Sequence, residues 1–90
     1  MFEVIVNPAG AGGRTMDTWK EVKALLKERN EEYDVHYSTQ DYGIADIAKD
    51  LTKDNKPVDI LLIGGDGSMN HLSNGIQNFE KTRELIIANF

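Results

Sequence analysis

Seven consecutive residues, Gly64-Gly65-Asp66-Gly67-Ser68-Met69-Asn70, hold glycines, a carboxylate, a hydroxyl and an amide in one short turn. Glycines let the backbone turn sharply and let a ligand approach the main chain closely. A helix beginning near Gly67 or Ser68 would aim its unpaired N–H groups and positive dipole end back at that turn, which is the geometry of an anion site. Asp66 sits in the middle of it, where a lone carboxylate would repel phosphate. A bridging Mg²⁺ resolves the conflict, because hard cations take carboxylate and phosphate oxygens together. The chemistry expected here is therefore phosphate and metal binding. Two further clusters match it in character: Asn7-Pro8 followed by the small, glycine-rich run Ala9 to Gly13, and the hydroxyl of Thr39 in Ser38-Thr39.

Each cluster needs an element to hold it. Phe2 to Val6 is a short β-rich run stopped at Asn7-Pro8. Thr15 to Arg29 reads as a helix with Trp19, Val22, Leu25 and Leu26 on one face. Tyr33 to Thr39 alternates Tyr33, Val35 and Tyr37 with Asp34, His36 and Ser38, a strand whose polar face exposes His36 to solvent. Ile44, Ile47, Ala48 and Leu51 mark a second helix, and Asp54 to Pro57 a polar loop. Val58 to Ile63 runs apolar into Gly64, as suits a strand buried on both faces of a parallel sheet. Met69 to Gln77 reads as a third helix and Glu84 to Ala88 as a last strand. Strand and helix alternate three times before that strand, so the expected fold is α/β: a three-layer parallel sheet with helices on both faces. Ligands of such sheets gather at the carboxyl ends of the strands. The turns Asn7 to Gly13, Thr39 to Gly43 and Gly64 to Gly67 all fall there, within reach of one ligand.

Composition sets the outer limits. Ninety residues, 40% apolar and 28% charged, allow one small globular domain. A net charge of −5 argues against nucleic acid as a partner, since phosphate-backbone binding needs a basic footprint. Without cysteine there is no disulfide framework or thiolate metal site. No stretch approaches the roughly 18 to 20 apolar residues of a membrane span. A cytoplasmic location is the expectation. The chain stops at Phe90 directly after an apolar strand, where a doubly wound domain continues, so an incomplete domain or a piece of a longer protein is expected. Its unfinished sheet leaves homo-oligomerisation open.

Several motifs fail. Neither glycine cluster supplies the lysine and hydroxyl of a Walker loop, and both miss the third glycine of G-x-G-x-x-G. His71 lies three residues after Ser68, too weak a signal for a nucleophilic hydrolase. What remains, in order, is VNPAGAGGR, YSTQDYGIA and GGDGSMNHLSNGI. This combination resembles the catalytic domain of the diacylglycerol kinase and sphingosine kinase superfamily of lipid kinases, over essentially the whole chain. The third motif alone also resembles NAD kinases and phosphofructokinases.

The resemblance implies an ATP-dependent kinase that phosphorylates a lipid hydroxyl such as that of diacylglycerol, acting peripherally at a membrane surface. It implies that ATP is held by Asn7, the backbone of Gly10, Gly12 and Gly13, Thr39, and the turn Gly64, Gly65, Asp66, Gly67, Ser68 and Asn70, with Asp66 holding Mg²⁺. Asp66, Asn7 and Thr39 also have plainer readings as turn, punctuation and capping residues, and Arg14 reads equally as a phosphate contact or a solvated helix start. Trp19 reads as helix core. This chain departs from the family pattern at Ala11, usually glycine, at Ser68, usually threonine, and at His71, usually glutamate. The later glycine-rich Asn-Asp turn, the β-rich lipid-binding domain and the catalytic base are expected beyond Phe90, so the 90-residue piece is expected to be inactive alone. Two alternatives stand beside this reading: an NAD kinase-like or sugar kinase sharing the GGDG turn, and a non-catalytic nucleotide-binding remnant.

Overall fold

The computed structural model describes residues 2–8, 14–53 and 58–64 with their side chains, and the strand backbone of 82–87. The chain runs β1 (Phe2–Val6), α1 (Arg14–Glu28), β2 (Tyr33–Tyr37), α2 (Ile44–Thr52), β3 (Val58–Ile63) and β4 (Thr82–Ile87). The strands form one sheet in the order β2-β1-β3-β4, and every neighbouring pair is parallel. Position in the sheet explains strand composition. Val4, Ile5 and Val6 of β1 are fully buried, and Ile60 to Ile63 of β3 nearly so. A central strand covered on both faces needs apolar residues in succession. β2 lies at the edge, and its mixed sequence YDVHY is only half-buried.

Topology then dictates the layers. The step from β1 to β2 and the step from β2 to β3 run in opposite directions across the sheet. Right-handed crossovers therefore place α1 and α2 on opposite faces. Two separate apolar clusters follow. On one face Trp19, Val22 and Leu26 of α1 meet Val4, Val6, Leu61 and Ile63, with Phe2, Tyr33 and Val35 at the margin. On the other, Ile44, Ile47 and Ala48 of α2 meet Ile5, Ile60 and Leu62. The α/β sheet with helices on both faces is as expected. The helix expected over Met69–Gln77 lies outside the described residues.

Trp19 anchors the first cluster. It is 2% exposed, meets the Tyr33 ring edge-on at 5.6 Å and 86°, and donates from Nε1 to the Tyr37 hydroxyl at 3.1 Å. The core role expected for it holds. Leu25 differs from expectation, being 52% exposed. It sits at the edge of the stripe defined by Trp19, Val22 and Leu26, and with Phe2, Leu26 and Leu61 it lines a groove of about 320 Å³ instead of filling the core. Buried hydroxyls on the helices are satisfied locally: Thr18 Oγ1 donates to the Arg14 carbonyl and Thr52 Oγ1 to the Ala48 carbonyl.

Helix α1 ends in a Schellman arrangement. The Glu31 N–H donates to the Leu26 carbonyl at 2.9 Å and the Asn30 N–H to the Lys27 carbonyl at 3.1 Å, with Asn30 at φ 57°. Asparagine tolerates this left-handed position better than most residues, and glycine better still. Asn30→Ala is accordingly expected to destabilise the chain by about 1 kcal/mol and Asn30→Gly to leave it equally or more stable. Urea unfolding curves of the two variants check the order; an alanine variant as stable as the glycine one contradicts it.

Other boundaries moved. β2 stops at Tyr37 rather than Thr39, because the Thr39 N–H turns back to the Tyr42 carbonyl at 2.8 Å. α1 starts at Arg14 and ends at Glu28 instead of spanning Thr15 to Arg29, and β4 covers Thr82–Ile87 instead of Glu84 to Ala88. His36 is half-buried rather than solvent-exposed. Its Nε2 lies 2.7 Å from Glu3 Oε2, a carboxylate on the neighbouring strand and the same face of the sheet.

Candidate functional site

The chain progresses across the sheet in opposite directions from β1 to β2 and from β2 to β3, which creates a switch point between β1 and β3, where crevices of parallel sheets open at the carboxyl ends of the strands. Asn7 directly follows β1 and Gly64 directly follows β3. The Asn7 N–H donates to the Ile63 carbonyl at 3.0 Å, so the first residue after β1 stays tied to β3. On the other side, the Ser38 N–H donates to the Val6 carbonyl at 2.9 Å and extends the β1–β2 ladder past the strand. Ser38 Oγ then donates to Asn7 Oδ1 at 3.2 Å. Asn7 is thus fixed through its backbone by β3 and through its side chain by the chain leaving β2. With Oδ1 engaged by Ser38, the amide NH₂ is the group left to donate to a ligand.

A cleft of about 180 Å³ opens at this edge, lined by Asn7, Ser38, Thr39, Gly43 and Ile44. Thr39 is exposed, and its Oγ1 accepts from the Tyr42 N–H at 3.0 Å, closing a tight turn. Among the described residues no group accepts the Thr39 hydroxyl proton. Tyr42 in turn donates its phenol to Asp50 Oδ2 on α2, which braces the turn against the helix. The cleft ends on the first turn of α2. There the Gly43 N–H donates to Asp46 Oδ2 at 3.1 Å, and the Ile47 N–H opens the helical series on the Gly43 carbonyl at 3.0 Å. Asp46 therefore places a carboxylate at the positive end of the helix, the sign the dipole favours.

The structure brings Asn7 and Thr39 to one cleft, with buried Gly64 following the strand that Asn7 is bonded to. Arg14 opens α1 and is exposed. Gly10, Gly12, Gly13, Gly65, Asp66, Gly67, Ser68 and Asn70, as well as His71, lie outside the described residues. Among the described residues no group of three or more His, Asp or Glu could hold a metal ion. None of their helices is long and apolar enough to cross a membrane. Two cleft residues were not singled out from sequence. Ser38 read only as the polar step of an alternating strand, and its link to Asn7, 31 positions away, has no local signature. Gly43 read only as the end of a turn.

Helices on opposite faces of a parallel sheet and a polar cleft beside its switch point define a doubly wound α/β domain, a class whose ligands generally gather at the strand ends. Residues 1–88 match the diacylglycerol kinase catalytic domain family. The chain belongs to this family, which is one of lipid kinases. No match was found among curated proteins or among solved structures.

Proposed function

We propose that this chain is the nucleotide-binding part of an ATP-dependent lipid kinase, which transfers the γ-phosphoryl group to a lipid hydroxyl such as that of diacylglycerol. The observation that carries the reading is the meeting of Asn7 and Thr39 in one cleft at the carboxyl edge of the sheet, in a chain of this family. The donors of that cleft suit a ligand rich in acceptor oxygens: the Asn7 amide NH₂ and the Thr39 hydroxyl. Gly10, Gly12 and Gly13 after β1, and Gly64, Gly65, Gly67, Ser68 and Asn70 after β3, are the proposed backbone and side-chain contacts to ATP. Asp66 is the proposed Mg²⁺ ligand. When bound, that ion neutralises phosphate charge and orients the transferring group. No residue of the chain is assigned as the catalytic base. The lipid acceptor would be met at a membrane surface, with the protein peripheral to it.

Titration calorimetry with ATP and Mg²⁺ tests this directly. The wild-type chain is expected to bind, and Asp66→Ala to bind roughly tenfold or more weakly, because carboxylate, metal and phosphate share one site. Equal affinities would remove Asp66 from the site. Absence of binding by the wild type would remove the nucleotide reading itself.

A further inference from the structure

Leu25 of α1 is 52% exposed, and it stands beside a groove of about 320 Å³. Phe2 of β1, Leu61 of β3 and Val22 and Leu26 of α1 line the rest of it, with Arg29 and Glu31 as its polar members. The groove lies on the α1 face, toward the end of the sheet opposite the strand-end cleft: Phe2 opens β1, and Arg29 and Glu31 follow the end of α1. A protruding leucine next to an apolar hollow is a knob and a hole on one surface. Covering both releases their water, the main driving force for association of apolar surfaces.

The charges decide which partner fits. Arg29 and Glu31 are exposed and opposite in sign, and neither forms an ion pair among the described residues. An anionic membrane would gain from Arg29 but meet the exposed Glu28, Glu31 and Glu32 beside it, and a basic peptide would meet Lys27 and Arg29. A second copy of the same surface satisfies both signs. Across a twofold axis each contact is returned by the partner, so a single pairing of Arg29 with Glu31 is made twice. Each Leu25 then enters the hollow of the other copy. We propose that two copies of this chain pair through this groove, with Leu25 as the knob and Arg29 opposite Glu31 at two symmetric junctions. The lining residues are few against the roughly 20–30 a side of a standard interface, so the dimer is weak and reversible. Because groove and cleft lie at opposite ends of the sheet, pairing leaves the cleft of each copy open.

Sedimentation equilibrium of the whole chain reads the pairing. The wild type is expected to show a reversible monomer–dimer equilibrium at roughly 100 µM, a concentration at which small interfaces associate. Leu25→Gln, at an exposed helical position, is expected to keep the wild-type melting temperature and to weaken the dimer roughly tenfold or more. Arg29→Glu and Glu31→Arg each set like charges against one another at both junctions, so each is expected to weaken its homodimer by a similar factor. Mixed in equal amounts, the two variants restore opposite charges at both junctions, and the heterodimer is expected to recover the wild-type association. That recovery separates the pairing from a folding defect, which mixing does not repair. A wild type that stays monomeric at that concentration, a dimer that Leu25→Gln leaves intact, or a mixture that associates no better than either variant alone would each overturn the proposal.

Discussion

Trp19→Ala is expected to lower the melting temperature by roughly 15–30 °C, the equivalent of losing about 3–5 kcal/mol from a chain of this size. The whole stability of a 90-residue domain is roughly 5–13 kcal/mol, so this one change removes much of it. The reason lies in what the indole does on the α1 face. It is nearly fully buried, it packs with Val4, Val6, Leu61 and Ile63, it meets the Tyr33 ring edge-on, and it donates to the Tyr37 hydroxyl. Alanine leaves a cavity over the central strands and strips the Tyr37 hydroxyl of its indole donor. Trp19→Phe keeps most of the apolar volume and loses only the Nε1 bond, so its cost should be well under half that of alanine. Thermal unfolding followed by circular dichroism reads both. A loss of only a few degrees for Trp19→Ala would mean that α1 is not anchored through this residue.

The second large effect is expected on the opposite face. Ile5 is fully buried in the cluster with Ile44, Ile47, Ala48, Ile60 and Leu62, so Ile5→Ala is expected to cost about 2–5 kcal/mol. Ile5→Val, which deletes a single methyl group, should cost about 0.5–1.5 kcal/mol. The ratio matters more than either number. Ala48, fully buried in the same cluster, has a side chain short enough to bring the α2 backbone close to the sheet, which limits how far the surrounding groups can collapse into a hole left at position 5. Denaturant midpoints for the two variants give the comparison. If alanine costs no more than valine, the α2 face is loosely packed and the layer assignment on that side fails.

Much of this fold was legible in the sequence because its strongest signals are local. Val4-Ile5-Val6 and Ile60 to Ile63 are unbroken apolar runs, and only a strand covered on both faces wants that. The Trp19, Val22 and Leu26 stripe gave α1 its inward face for the same reason. Where the reading slipped, the deciding contact was distant or the local pattern was ambiguous. Ser38 and Thr39 continue the period of two, and nothing local shows that Thr39 bonds back to Tyr42 and ends the strand. His36 stands on the polar side of an alternating strand, yet the partner that half-buries it, Glu3, is 33 positions earlier. Leu25 is apolar at helical spacing, but the spacing gives only a direction, and the groove it faces is a property of the assembled sheet. The cleft follows the same division. Asn7 and Thr39 stood out by type and place, whereas Ser38 and Gly43 acquire meaning only once β1 and β2 lie side by side.

The bonds on either side of β1 have a consequence for how the cleft can vary. Because β1 is paired along its length to both β2 and β3, it cannot slide against one neighbour without breaking its ladder with the other. A shift by one residue would also turn Glu3 toward α1 and carry Val4 and Val6 to the α2 side, exchanging the two cores' contents. The strand thus acts as a fixed gauge, setting the distance from Asn7 to the end of β3 by the count of residues in Phe2–Val6 rather than by the loops. Substitutions in the turns can reshape what the cleft accepts, while the spacing of its two walls stays tied to the survival of the sheet.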